Sequence, residues 1–178
     1  MNESEKIRRI KENMKIKNRL NSIGICVIVG PTGPRGEPNG IGAYAERYSI
    51  SNQRFNISAN REIIIPLETT GPAIFAEYNS SYTIIIKKYG TYQINYFLNV
   101  ATSVDVNYTI SIKASGTKLP SSEIRGVGKA NIINQVSGTL IFSLTEEDEI
   151  TFVITSDQDA ELIFDGTTAA KLSVIKLD

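Results

Sequence analysis

The chain has 178 residues and no net charge, with 19 Lys and Arg against 19 Asp and Glu. This length fits one domain of ordinary size with a smaller segment attached. No stretch approaches the roughly 20 apolar residues that cross a bilayer, so the sequence predicts no membrane span. The chain contains no histidine, which removes the commonest general base and metal ligand. We therefore expect no enzyme, no cofactor and no metal site.

Charge is distributed unevenly along the chain. Residues 1–22 hold seven Lys and Arg against three Glu, whereas the rest of the chain holds twelve against sixteen Asp and Glu. A solvated basic helix explains this excess more simply than nucleic-acid binding does, so we predict no nucleic-acid partner. The apolar run at residues 23–29 continues directly into Gly-Pro without a small-residue cleavage site, which a secretory signal would need.

The first segment has the composition of a helix. Residues 3–21 are rich in helix formers and contain neither Gly nor Pro. Ile7, Ile10 and Met14 recur at helical spacing, which predicts a short helix. The spacing slips after Met14, so no heptad pattern lasts long enough for a coiled coil. We expect residues 1–23 to form a basic segment that is helical or disordered.

Three collagen-like triplets follow. Residues 30–38 read Gly-Pro-Thr, Gly-Pro-Arg and Gly-Glu-Pro, which places Gly30, Gly33 and Gly36 at every third position. A collagen triple helix needs this spacing because only glycine fits on its crowded axis, and the run would span about 28 Å. We predict a short stem at residues 24–40. A Pro/Gly linker that happens to repeat in threes is the alternative.

From residue 41 onward the sequence indicates strands. Residues 104–113 alternate apolar and polar side chains without a fault, which is typical of a half-buried strand. The breaks between such runs are short, and no helix-length pattern lies between them. The predicted fold of residues 41–178 is all-β, an antiparallel jelly-roll sandwich of about eight to ten strands. Eight strands are placed at 63–67, 82–87, 91–100, 104–113, 138–144, 150–154, 160–164 and 170–177.

Four motifs in this order resemble a known family. They read GTYQINY at 90–96, SGTLI at 137–141, LTEEDEI at 144–150 and AKLSVIKL at 170–177. Together with the triplets, they resemble the BclA-type collagen-like exosporium glycoproteins of spore-forming bacteria. The heads of that family belong to the complement globular-head and tumour necrosis factor superfamily.

The resemblance covers roughly residues 24–178 and implies a homotrimer at the tip of a fibre. It implies a structural protein of the spore coat or exosporium that contributes to the surface layer and to adhesion. Such a protein would be made in the mother-cell cytoplasm without a signal peptide. The stem departs from the family, since it has only three triplets, and we expect no long projection.

The resemblance also implies candidate sites. In this superfamily the trimer axis is lined by apolar and aromatic side chains, for which the candidates are Tyr92, Tyr96, Leu172 and Val174. Packing in the core of one subunit is the alternative for each of them. Thr32 is the one residue at the triplet position that the family glycosylates, so it is the candidate for O-glycosylation.

Cys26 is the only cysteine, so no disulfide can form within one chain. In a trimer it would lie near its two symmetry mates, as a candidate for an inter-chain disulfide or a link to another coat protein. A buried small hydrophobe is the alternative. The acidic run at residues 146–149 lacks the glycine and the ligand spacing of a calcium loop, which favours a solvated turn.

Two functions remain open. A trimeric head would hold three stems at high effective concentration, as a structural tip requires. The alternative is a trimeric head that binds a receptor or carbohydrate, such as a phage tail-tip or lectin-like adhesin, because fold alone does not exclude a glycan or host-surface ligand. The basic residues 3–23 are the candidate attachment to other spore-coat or exosporium proteins.

Overall fold

The computed structural model describes residues 2–22 and 42–178. The chain divides into two compact units, Met1–Pro38 and Asn39–Asp178, which are described separately. The first unit contains the helix α1 (Glu3–Ser22), where the sequence predicts one over 3–21. The Asn2 side chain caps this helix, since its Oδ1 accepts a hydrogen bond of 3.0 Å from the Glu5 N–H. No helix in the described ranges is long and apolar enough to cross a membrane.

The second unit is built of strands, joined by turns and by one short 3₁₀ helix at Pro120–Ser122. The described strands are β1 (Tyr44–Ser49), β2 (Arg54–Ile57), β3 (Glu62–Ile64), β4 (Thr69–Thr70), β5 (Ala76–Tyr78), β6 (Ile84–Ile86), β7 (Gly90–Thr102), β8 (Val106–Ala114), β9 (Thr117–Lys118), β10 (Ile124–Gly128), β11 (Asn134–Leu144), β12 (Glu149–Ser156), β13 (Ala160–Ile163) and β14 (Ala170–Lys176).

These strands form two antiparallel sheets. Sheet one has the order β4-β1-β14-β7-β11, and β13 and β2 extend it beyond the far end of β7. Sheet two has the order β10-β8-β12-β6-β5, with β3 beside β12 and β9 beside β8. The chain passes repeatedly from one sheet to the other, and the two sheets enclose one core. The predicted jelly-roll sandwich is therefore confirmed, with several short strands added to the eight placed from the sequence.

The core lies between the sheets and is filled by alternate residues of each long strand. Strand β7 points Tyr92, Ile94 and Tyr96 inward, and all three are almost completely buried. The rings of Tyr96 and Phe152 meet across the core edge to face, with centroids 5.5 Å apart. Each large apolar side chain buried in this way contributes about 1.5–3 kcal/mol to folding.

Glycines on the outermost strands make room for tyrosines from the neighbouring central strands. A Cβ on Gly138 of β11 would lie only 2.3 Å from Tyr96 Oη, and a Cβ on Gly126 of β10 only 2.4 Å from the Tyr108 ring. The Tyr96 hydroxyl in turn donates a hydrogen bond of 2.6 Å to the Ser122 carbonyl. Large side chains of the central strands thus fill the core as far as the edge of the sandwich.

Strand β1 departs from ordinary strand chemistry. Its outward positions include Tyr44 and Tyr48, whereas its buried positions are Ala45, Arg47 and Ser49. Because the inward positions of β1 hold small and charged residues, its sequence lacks the alternating apolar residues by which a strand is recognised. The eight strands predicted from alternation therefore do not include β1.

Arg47 is buried and donates three hydrogen bonds to backbone oxygens. Its Nε donates to the Leu67 carbonyl at 3.0 Å, and its Nη1 donates to the carbonyls of Asn79 at 2.7 Å and Thr83 at 3.1 Å. The rings of two tyrosines lie within 5.7 Å of the guanidinium carbon. Burial lowers the pKa of Arg47 below its usual value. The side chain holds the segments around residues 67 and 79–83 against β1.

We predict that Gly138→Ala lowers the free energy of unfolding of the head by about 1–3 kcal/mol, because the added methyl group displaces the Tyr96 hydroxyl. Urea denaturation measures this change. Gly42→Ala is the matched control, since its new Cβ would meet nothing closer than 3.6 Å. Equal effects of the two substitutions would contradict the proposed packing of Tyr96 beneath β11.

A second prediction concerns acid stability. Asp178 accepts hydrogen bonds from Lys176 Nζ at 2.7 Å and from the Thr91 N–H at 2.9 Å, and these lower its pKa from 3.8 to about 2. Because the folded-state pKa is depressed, this contribution to stability is complete above the unfolded pKa and disappears as the pH falls toward 2. We expect Asp178→Asn to unfold with a weaker pH dependence than the wild type between pH 3.8 and 2. Denaturation curves at several pH values test this, and identical slopes for the two proteins would refute it.

Candidate assembly surface

The outward face of sheet one, here called the front face, carries side chains in transverse rows set by the strand register. Because successive side chains of a strand point to opposite faces, the front face carries the residues that lie between those in the core. The row nearest to residue 42 contains Tyr44, Ile175, Gln93 and Ile141; the middle row contains Glu46, Ser173, Asn95 and Thr139; and the third row contains Tyr48, Lys171, Phe97 and Ser137.

The first row is mainly apolar and borders a groove. Tyr44, Pro72 and Ile175 are among the residues that line this open groove of about 360 Å³. It lies at the end where the chain enters the head, since the Ala43 carbonyl accepts a hydrogen bond of 2.8 Å from the Lys176 N–H. An apolar groove on an outward sheet face is a surface that association would cover.

The second and third rows are mainly polar, and several of their polar groups bond to one another. Lys171 Nζ lies 2.6 Å from Glu46 Oε2. Asn95 Oδ1 accepts hydrogen bonds of 2.9 Å from both Thr139 Oγ1 and Gln93 Nε2. Covering these groups would therefore leave few unpaired donors or acceptors, which keeps the desolvation cost of an interface low.

A second apolar surface runs along the β10–β11 edge of the sandwich. Among the described residues, β11 pairs only with β7 and β10 only with β8, so each has one free side. Ile141 is 61% exposed and Ile132 is 58% exposed on this edge. Unprotected edge strands with apolar side chains are association sites. We call this surface the edge ridge; its large exposed residues are Val127, Ile132, Ile133, Ile141 and Phe142.

The structure places the four predicted axis residues elsewhere. Tyr92, Tyr96, Leu172 and Val174 are each at most 2% exposed in a single subunit. All four therefore belong to the intra-subunit core, the alternative that the sequence left open, and a second subunit has no access to them. Selection by apolar character picks out the inward positions of β7 and β14. In the sequence, Phe97 marks the outward face of β7, since it is an aromatic residue at one of the otherwise polar alternate positions of that strand.

The predicted stem lies outside the described residues. These include the three glycines Gly30, Gly33 and Gly36, the glycosylation candidate Thr32 and the disulfide candidate Cys26. Their roles stay predictions.

The acidic run at residues 146–149 lies at the turn between β11 and β12. The Asp148 carboxylate accepts hydrogen bonds from the Thr145 N–H at 2.7 Å and from Ser115 Oγ at 2.7 Å. Burial acts to raise the pKa of Asp148, but these hydrogen bonds hold it below its usual value. Lys87 Nζ lies 2.9 Å from Glu147 Oε1. In the described part of the chain, no group of three or more metal-ligating side chains is placed to hold an ion.

The outward face of sheet two carries a polar depression of about 510 Å³, whose lining includes Asn60, Asn107, Arg125 and Asp157. Asn107 Nδ2 donates a hydrogen bond of 2.7 Å to Asp157 Oδ2, so these two side chains partly satisfy each other. A depression lined by amides and charged groups offers the donors and acceptors that a polar ligand would need. It is the place on the head where the alternative binding function would reside.

Comparison with solved structures places the head among tumour necrosis factor-like folds. The structure of Eiger TNF from S. frugiperda is similar, with a TM-score of 0.53, 9% identity, and coverage of 76% of this chain and 92% of that chain. Murine APRIL at pH 5.0 gives a TM-score of 0.49 and 13% identity, covering 76% of this chain and 98% of that chain. No family model and no curated protein matches the sequence. At this identity the likeness concerns the fold, which is the tumour necrosis factor-like jelly roll that the sequence motifs implied.

Proposed function

We propose that the chain is a structural protein, not an enzyme, whose head closes into a homotrimer. The observation that carries this proposal is the presence of two separate apolar surfaces on one subunit. The groove beside Tyr44 and Ile175 lies on the front face, whereas the edge ridge lies at the side of the sandwich. If the edge ridge of one subunit occupies the groove of the next, the contact is head-to-tail, and it forms a ring when the rotation closes.

The strand register supports a closed ring over an open filament. Ile141 is paired with Gln93, Gln93 with Ile175, and Ile175 with Tyr44, so the ridge residue and the groove lie in one transverse row. Rotation about an axis along the strands therefore brings Ile141 of one subunit to the groove of the next without a shift along that axis. A ring of three is the number that the resemblance to this superfamily implies.

Trimerisation of the head would hold three collagen-like stems close together. The head begins at the end that carries the groove, so three subunits in this ring would bring their stems together. Three triplets are too few to form a triple helix from separate chains, but tethering raises their effective concentration. With the family motifs, this supports a short stalk with a jelly-roll tip at the spore surface, in the exosporium or coat. The protein would reach that layer from the mother-cell cytoplasm.

We predict that the purified chain has a native mass of three times 19.6 kDa at micromolar concentration. Ile141→Glu should convert it to a monomer, because a buried, unpaired carboxylate in the groove opposes association. Ile64→Glu is the control, since Ile64 is a large exposed residue on the other sheet. Sedimentation velocity measures all three proteins. A monomeric wild type, or equal dissociation by the two substitutions, would refute the trimer.

The polar depression supports the second candidate, a trimer that binds a glycan, and it yields a separate prediction. The lining of the depression includes Val127 of the edge ridge, so the proposed ring would cover its β10 side, whereas the side that carries Asn107 and Asp157 belongs to the outward face of sheet two. A purely structural tip should show no selective binding when the full chain is applied to a glycan array. Selective binding that Arg125→Ala abolishes would favour the adhesin function instead. The native mass of Arg125→Ala should equal that of the wild type, which shows that the loss concerns the ligand.

A further inference from the structure

Helix α1 presents an apolar stripe to solvent. Ile7, Ile10 and Met14 follow one another at intervals of three and four residues, so they lie on one face over two turns. Each of the three side chains is at least 50% exposed. Large apolar side chains aligned on one helix face form a typical contact surface for a second helix.

The charges beside this stripe are unfavourable for a second copy of the same helix. Lys6 precedes the stripe on one side and Lys11 flanks it on the other. When two such helices pack in parallel, the residue before the first stripe position meets the residue five places later in its partner. Lys6 would then face Lys11 of the other copy, and like charges at these positions repel. Asn13, two turns beyond Lys6 on the same side of the stripe, adds no negative charge that would compensate.

The acidic residues of α1 do not change this pattern. At 100° per residue, Glu5 and Glu12 lie on the face opposite the stripe. Glu3 is on the stripe side, but it lies in the first turn, where the positive end of the helix dipole stabilises a carboxylate. The border of the stripe is therefore basic along the two turns that carry its apolar residues.

We propose that α1 docks onto an acidic helix of a partner protein, with the stripe packed against apolar side chains and Lys6 and Lys11 facing carboxylates. Charge complementarity favours this occupant over a second copy. A bilayer is a poorer occupant, because a stripe of three apolar side chains gives little area to bury in lipid. The inference names a partner class for the attachment that the sequence predicts for residues 3–23, and it rests on the proposed role at the spore surface. Three copies in one trimer would add avidity to a contact that is short in each copy.

The test uses the full chain and a synthetic acidic peptide of four heptads, with Leu at a and d and Glu at e and g. Fluorescence anisotropy should show binding that weakens as salt is raised. Lys11→Glu should reduce the affinity by about tenfold, because an attraction becomes a repulsion in each copy. Arg9→Glu is the matched control, with the same change in charge on the opposite face. Its affinity should stay within about twofold of the wild type.

Several results would overturn the proposal. These are an absence of peptide binding, equal losses for Lys11→Glu and Arg9→Glu, and binding to phosphatidylglycerol vesicles without binding to the peptide. The native mass of the same samples separates this inference from the trimer. A trimer that fails to bind the peptide refutes only the docking proposal, whereas a monomer that binds it refutes only the trimer.

Discussion

The register of β7 between β14 and β11 is the constraint on which the head depends. The inward positions of β7 supply Tyr92 and Tyr96 to the core, and its outward positions supply Gln93 and Phe97 to the front face. A shift of one residue would exchange the two sets. The same backbone pairing therefore sets the stability of one subunit and the pattern of the surface proposed to join three.

Polar groups on both sides of sheet one are largely satisfied within the subunit. Arg47 is surrounded by backbone carbonyls in the interior, and Glu46 and Lys171 pair on the front face. Buried polar groups without partners would cost free energy, so these bonds allow the sheet to be covered on both faces. In the proposed ring, the apolar groove and the edge ridge would provide the contact between subunits. The specificity of that contact would depend on the positions of the apolar side chains among the paired polar ones.

Alternation alone was enough to place the long strands and the fold class. Residues 104–113 predict a strand where β8 forms, and residues 91–100 predict one where β7 forms. Strand β1 was missed because its inward Arg47 is compensated only by carbonyls distant in sequence, which no local pattern contains. The interface candidates failed for the opposite reason. Apolar character identifies core positions first, so it selects Tyr92 and Leu172 ahead of Phe97 and Ile175 on the outward face.

The pairing of edge glycines with tyrosines from central strands has an evolutionary consequence. Gly138 adds no side chain to the interior, and Tyr96 fills the space that an edge residue would otherwise occupy. The outward neighbours of Gly138 can therefore be exchanged with little change to internal packing. Such substitutions would change the surface of the head while the interior of the folded subunit stays the same.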